Sequence, residues 1–381
     1  MTDKSPFERL AAHLQTLPGG FARTASGAEL RILRRLFAPD EAWVASHITL
    51  LPEPAKVVAF RSGLSMKQTG HILKALVEKH LISSFTVHGR MHYMAQQFVI
   101  GFWEAQVDHL DCEMVESFEE YLPAYADSGL WGKAPQLRVV PIQKSISIQS
   151  RILPYEKLTA ILDAHRIFAI ANCICRQEQR MLDKDCGKPL ETCLVFDGAA
   201  GYFAQTGRGR LISRVEADAL IAAAEKTGLV LQPGNTRNPG NICMCCGCCC
   251  GVLRSLKMRP NPASEVSSDF FAHLEVARCT GCKVCLKRCQ MDALTMIEGK
   301  AHLDLTRCIG CGLCVSTCKP GALTLVRKRR SKLPRLPAND ILLGIRMGQS
   351  HGQLGWGQIL GMLIRSGVDR IRAEFKFRNS N

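Results

Sequence analysis

Two stretches of the chain repeat one arrangement of thiols, CTGCKVCLKRC at Cys279–Cys289 and CIGCGLCVSTC at Cys308–Cys318. Each reads C-x2-C-x2-C-x3-C, and the second starts 29 residues after the first. Three thiolates spaced by two residues can wrap one iron–sulfur cube while the N–H groups of the tight loop donate to its sulfurs. The fourth, on the short helix that follows, points toward the other cube. The spacing therefore predicts that Cys279, Cys282, Cys285 and Cys318 hold one 4Fe–4S cluster and that Cys308, Cys311, Cys314 and Cys289 hold a second. Zinc knuckles usually pair two C-x2-C units across a longer gap, so four cysteines in one compact run fit them poorly. Two such clusters side by side, with no substrate cavity implied, make a one-electron relay.

Ten further cysteines fall in two groups: Cys173, Cys175, Cys186 and Cys193, then Cys243, Cys245, Cys246, Cys248, Cys249 and Cys250. RIFAIANCICR reads as a buried strand running into Cys173 and Cys175, which would then face one side two residues apart. Cys243 and Cys245 repeat that placement on a second extended segment. A helix starting near Gly247 would bring Cys246, Cys249 and Cys250 toward one face. These ten are candidate ligands for one or two more iron–sulfur clusters, for structural zinc, or members of a redox-active dithiol; thiolate density alone does not choose. Neighbours such as Cys245 and Cys246 seldom ligate one ion, so some thiols should stay free. Arg176 is placed either to donate to cluster sulfurs or to pair with a surface acid. The pocket is expected to hold metal independently of the repeat that follows it.

Residues 276–326 resemble bacterial dicluster ferredoxin domains. The resemblance implies a ferredoxin-like fold around two 4Fe–4S clusters. It departs at the residue after each fourth cysteine, where a proline is usual: Gln290 and Lys319 stand there, with Pro320 one place late. More broadly, CICR, CGKPLETC, ICMCCGCCC and the repeat are similar to a family of uncharacterised cysteine-rich proteins ending in a dicluster ferredoxin. That likeness implies 4Fe–4S binding and carries no reaction with it.

The elements that must position these thiols follow from pattern. ALTMIEGKAHLDL predicts a hairpin turning at Glu298-Gly299. Ser213 and Glu216 cap a helix closed by Gly228, and LVLQ is a short strand. Pro154 marks the start of a helix carrying Leu158, Ile161 and Leu162. The fold class expected is α+β and multidomain: an N-terminal extension (1–26), a winged-helix-like domain (27–110), a linker (111–139), a cysteine-rich α/β domain (140–262), a ferredoxin domain (270–326) and a basic tail (327–381). Over 27–110, helices ending in a helix-turn-helix and then a two-stranded wing at His88-Gly89-Arg90 resemble the winged-helix fold of bacterial repressors. Lys67, His71 and Lys74 share one face of its last helix and Arg90 tips the wing, a candidate nucleic-acid or partner surface. Few arginines and the nearby Glu78 make it a thin phosphate-binding face, so protein contact is the favoured use. Cys112, without a thiol neighbour, reads as an ordinary buried cysteine.

The formal net charge is +15, and residues 327–381 carry twelve Lys/Arg against three Asp/Glu, a surplus of nine. That segment predicts an amphipathic helix with Ile359, Leu363 and Ile364 opposed to Arg365, Arg370 and Arg372, suited to an acidic partner or a membrane surface, or else a solvated tail. MTDKSPFERLAAHL lacks the core and cleavage site of a secretory signal. No run of about eighteen apolar residues marks a membrane span. The expected setting is a reducing cytosol, where nineteen cysteines read as ligands or redox thiols rather than disulfides. Function is expected to be electron transfer with a partner oxidoreductase. The alternatives are an iron–sulfur redox-sensing transcriptional regulator and, with no flavin, nucleotide or radical-initiating motif to support it, an enzyme centred on Cys173–Cys250.

Overall fold

The computed structural model describes residues 4–145, 156–329 and 335–378. The chain divides into two compact units, Met1–Leu130 with Gly344–Asn381, and Trp131–Leu343. Among the described residues no helix is long and apolar enough to cross a membrane.

In the first unit, α1 (Pro6–Thr16) starts at a Ser5/Glu8 capping box with Pro6 in its first turn. Leu10, Ala11 and Leu14 on its inner face are buried, so residues 4–26 pack into this unit rather than forming an appended extension. Helices α2 (Ala28–Leu36) and α3 (Pro39–Ala45) lead to β1 (Glu53–Pro54), then α4 (Ala55–Ser62) and α5 (Met66–Glu78). Strands β2 (Ile82–Val87) and β3 (Arg90–Ala95) form a hairpin, and β1 pairs with β3, giving the order β1-β3-β2. His88 and Gly89, both at positive φ, make the turn, and Arg90 opens the second strand. The expected linker is instead α6 (Cys112–Asp127), capped by Asp111, with Met114, Val115, Phe118, Tyr121, Leu122 and Tyr125 buried. A 3.6-residue apolar stripe runs through 114–125 and drives that burial. Cys112 is the helix's first residue and is exposed, not buried.

The second unit opens with the short α7 (Leu130–Lys133); the helix start expected at Pro154 lies outside the described residues, and α8 (Leu158–Asp163) carries the buried Leu158, Ile161 and Leu162. There follow β4 (Phe168–Asn172), α9 (Ile174–Met181), β5 (Glu191–Phe196), α10 (Asp197–Gln205), β6 (Arg210–Ile212), α11 (Arg214–Thr227), β7 (Val230–Pro233), β8 (Asn241–Cys245) and α12 (Gly251–Lys257). The five strands form one sheet in the order β6-β4-β5-β8-β7, antiparallel at every pairing. The α/β expectation for this segment is thus corrected to α+β, since no connection crosses over to a parallel neighbour. The ferredoxin-like part pairs β9 (Phe270–Leu274) with a strand at Leu323–Arg327. Between them lie α13 (Val284–Arg288) and the hairpin β10 (Leu294–Ile297)–β11 (Lys300–Leu303), whose turn is Glu298-Gly299 at positive φ; the strand at Leu323–Arg327 is β12. Leu194, Leu231, Met244 and Leu253 of the sheet layer share one core with Met291, Ile309 and Leu313 of the repeat. The cysteine-rich and ferredoxin-like segments therefore form one unit.

The expected tail is also corrected. After α14 (Asp340–Ser350), α15 (Trp356–Phe377) packs along α4 in the first unit. Its buried side is polar and small: Ser366, Asp369 and Ala373. Arg61 donates from Nη1 and Nη2 to the Glu53 carboxylate at 2.5 and 2.7 Å and from Nε to Asp369 at 2.6 Å, while Ser366 donates to Glu53 at 2.5 Å. Leu363 and Ile364 point outward, with Trp356, Leu360, Ile371 and Phe375.

Removing one member of a buried ion cluster strands the others without counter-charge, which costs about 3–5 kcal/mol. Arg61→Ala should lower the stability of the first unit by about that amount in urea unfolding followed by tryptophan fluorescence. Arg61→Lys should recover only part, because lysine cannot reproduce the two-pronged geometry. A loss under about 1 kcal/mol would show that α15 is held by something else.

Candidate metal centres

The two cysteine repeats fold into loops whose glycines have work to do. Gly281 and Gly310 take φ of +72 and +71°, and a Cβ there would sit 2.2 Å from the Gly299 carbonyl and 2.1 Å from the Phe270 carbonyl. Each loop therefore presses directly against a strand or hairpin, which only glycine permits. Cys289 ends α13 and Cys318 ends a single 3₁₀ turn, where the sequence expected a short helix in both copies.

The chain path brings the eight cysteines around two voids. One is lined by Cys279, Cys282, Cys285 and Cys318, with Leu274, Met296 and Leu323 in its wall. The other is lined by Cys308, Cys311, Cys314 and Cys289, with Ala272, Leu294 and Ile309. Backbone N–H groups aim at the sulfurs: Gly281 and Ala301 donate to Cys279 Sγ, both at 3.4 Å, Ala272 to Cys308 at 3.4 Å, and Ala293 to Cys289 at 3.2 Å. The bonds from Ala301 and Gly281 hold the Cys279 thiol below its ordinary range. Burial pushes Cys311 up to about 12 and Cys314 well above the usual thiol range. Four thiols per void, dry walls and aimed N–H donors fit an iron–sulfur cube, whose iron would replace the protons that burial otherwise retains.

The ten middle cysteines come together at one end of the antiparallel sheet. Cys243 and Cys245 lie on β8, and Cys193 on β5 faces Cys243 across the ladder. Strand β4, by contrast, stops at Asn172; Cys173 caps α9 and Cys175 lies in its first turn, so these two are not strand neighbours. Helix α12 begins at Gly251, not near Gly247, leaving Cys246–Cys250 as a turn. The thiols then divide. Cys173, Cys175, Cys250, Cys245, Cys243 and Cys193 form a continuous chain of interacting sulfurs. Contact with a neighbouring thiol (Cys175, Cys193 and Cys243 respectively), then burial, pushes Cys173, Cys243 and Cys245 well above the usual range. Separately, Cys186, Cys246, Cys248 and Cys249 have sulfurs all within 4.8 Å of one another. There a hydrogen bond from Cys249 and the nearby Arg176 charge bring Cys246 down to about 4.

Arg176 is 1% exposed, which excludes the surface ion pair. It donates to the carbonyls of Met244 at 2.8 Å and Pro189 at 3.0 Å and to Thr192, and its charge lies beside Cys173, Cys246 and Cys245. A contact that sequence reasoning missed joins the two cysteine regions. Gly247 N–H donates to Gln290 Oε1 at 2.8 Å, and a Cβ on Gly247 would lie 2.0 Å from the Gln290 carbonyl oxygen. Gln290 holds the place where dicluster ferredoxins usually have proline. That substitution was the available signal. Lys67, His71, Lys74 and Arg90 are all exposed, and Lys74 pairs with Glu78 at 3.7 Å.

Residues 278–322 match the 4Fe–4S dicluster domain family. No curated protein and no solved structure matches the chain.

Gly247→Ala should force the thiol turn away from Gln290 and cost about 1–3 kcal/mol, the usual range for overpacking a tight site. Gly198→Ala, in a helix with nothing within 4 Å of the new Cβ, is the control and should be neutral or stabilising. Thermal melts of the metal-loaded proteins decide; equal effects from both would dismiss the contact.

Proposed function

We propose that this chain is an iron–sulfur electron carrier that passes single electrons to or from a partner oxidoreductase. The observation that supports it is the pair of voids, each lined by three cysteines of one loop and the fourth of the other. A 4Fe–4S cluster, when bound, supplies reversible one-electron chemistry. The chain's part is to hold it and set its surroundings: thiolates as ligands, N–H groups against negative charge on sulfur, apolar walls against water.

The two loops differ in exposure, which favours a direction. Cys282 is exposed, together with Val276, Arg278, Lys283, Val284 and Lys287. The other loop is covered: Ile309 and Leu313 are buried, and Ile142 N–H donates to the Cys311 carbonyl at 3.1 Å. The partner docks at the Cys282 face, where three cations and two valines suit an acidic surface with an apolar centre. Electrons then pass between that face and the inner loop beside the middle cysteines.

A second reading concerns the first unit. Its order of helices, the short β1 and the hairpin support a winged-helix assignment, which leaves the redox-sensing regulator as the alternative. The wing exposes Phe85, Val87 and Met91. An apolar wing with few cations favours protein contact over phosphate contact.

Two measurements test these readings. Protein purified without oxygen should carry at least about eight irons with matching sulfide, two cubes' worth. Cys318→Ala should damage the cluster held by Cys279, Cys282 and Cys285, and Cys289→Ala the other. Iron near four, zinc in its place, or loss mapping to the loop nearest in sequence would sink the assignment. For the first unit, a labelled mixed-sequence duplex should bind only with non-specific strength, roughly 10⁻⁴–10⁻⁶ M at physiological salt. Tight, sequence-selective binding abolished by Lys67→Ala with Lys74→Ala would favour the regulator.

A further inference from the structure

The four thiols of Cys186, Cys246, Cys248 and Cys249 do not have the spacing of a cluster site. A single ion bound tetrahedrally by sulfur at about 2.3 Å sets its ligands about 3.8 Å apart. The sulfurs of Cys186 and Cys249 are 3.4 Å apart, those of Cys248 and Cys249 3.8 Å, and those of Cys186 and Cys246 4.0 Å. All four lie within 4.8 Å of one another. Ligands on the corners of an iron–sulfur cube must stand farther apart, because the metals they bind are themselves separated. Among the described residues, none of the eight ferredoxin-type cysteines belongs to so compact a group.

We infer that Cys186, Cys246, Cys248 and Cys249 bind one divalent, thiolate-preferring ion, zinc in the first instance, as a structural clasp distinct from any iron–sulfur centre. Binding exchanges the remaining thiol protons for the metal, with no change of oxidation state. The product, four thiolates around a divalent cation, carries two negative charges, and two cations are at hand. Lys188 Nζ lies 3.8 Å from Cys248 Sγ, and the Arg176 guanidinium lies beside Cys246. The adjacent Cys248 and Cys249 can both reach the ion because Cys246–Cys250 is a turn, not the helix that sequence spacing suggested. The clasp has something to hold. Cys186 sits in the irregular connection between α9 and β5, while the other three belong to the turn that abuts Gln290. One ion ties that connection to the turn, which the Gly247–Gln290 hydrogen bond joins to the ferredoxin-like segment.

The inference stands apart from the relay reading, and the test separates them. Full-length protein, made in cells supplied with both zinc and iron and purified without oxygen, is analysed for metal and sulfide and by X-ray absorption at the zinc edge. About one zinc per chain is expected, in a single shell of four sulfurs near 2.3 Å and with no second metal close by. Cys186→Ser and Cys248→Ser should each cut zinc below about a tenth per chain while iron and sulfide stay unchanged. A lone iron in the same four-sulfur shell, lost from those variants without loss of sulfide, upholds the single-ion site and changes only its metal. If the variants lose several irons together with sulfide, or if the unaltered protein holds neither zinc in a four-sulfur shell nor an iron in excess of its sulfide, the inference is overturned. The absorption measurement needs no variant, so a misfolded mutant cannot shelter it. Wild-type protein with zinc in this shell but without cluster iron would sink the relay and leave the clasp standing.

Discussion

Thiolates repel, and crowding them out of water is tolerable only around cations. Of nineteen cysteines, all but Cys112 lie in the second unit, so eighteen thiols share one compact body. Without metal, hydrogen bonds among the sulfurs and burial hold most of the inner ones protonated, as at Cys173, Cys243 and Cys245. Metal reverses that balance, because each ligand must give up its proton to bind. The loops, the aimed N–H groups and the buried Arg176 make sense as the neutral and cationic surroundings of sulfurs that end up charged. The fold of this unit is therefore coupled to what its thiols hold.

That coupling runs through the contact between Gly247 and Gln290. In an isolated ferredoxin domain a proline after the fourth cysteine stiffens the loop. Here that position must accept a hydrogen bond through its side chain and let a backbone turn approach to within contact distance, neither of which proline offers. Arg288 adds to the join by donating to the carbonyls of Lys226 at 2.8 Å and Glu225 at 2.5 Å, at the end of α11. Arg307 reaches Met291 and Lys257 carbonyls in the same region. Gln290, one of the two departures from the ferredoxin pattern, and Arg288 beside it help attach the repeat to the cysteine-rich segment.

Much of this was legible in residue spacing, because spacing is what ligation and turns demand. The hairpin at Glu298-Gly299, the strand carrying Cys243 and Cys245, and the helix closed by Gly228 all follow from short-range rules. Failures came where long-range packing decides. The stripe Met114, Val115, Phe118 and Tyr121 is helical in period, yet its place between two better marked segments made it read as a linker. Helix α15 was read as amphipathic, yet Arg365, Arg370 and Arg372 are exposed together with Leu363 and Ile364, and the side it buries is the narrow row Ser366, Asp369 and Ala373, because Arg61 and Glu53 offer charged partners that no local pattern announces. The division of ten thiols into four and six depends on where β4 stops and α12 starts, boundaries that spacing leaves loose.

The same long-range packing argues against treating the thiol pocket as a module of its own. Sequence reasoning expected a fragment ending before the repeat to keep its metal, since all ten ligands precede it. Met291, Ile309 and Leu313, however, lie in the core that the sheet builds, and the Ile142 and Gly247 backbones are both satisfied by atoms of the repeat. Removing the repeat would open an apolar face and leave donors without partners, each a recognised way to lose stability. The pocket and the repeat therefore fold as one body, and a centre bound in either is held against the other. If the chain carries electrons as proposed, this arrangement would keep the inner loop in one core with the middle thiols and leave the exposed Cys282 face open.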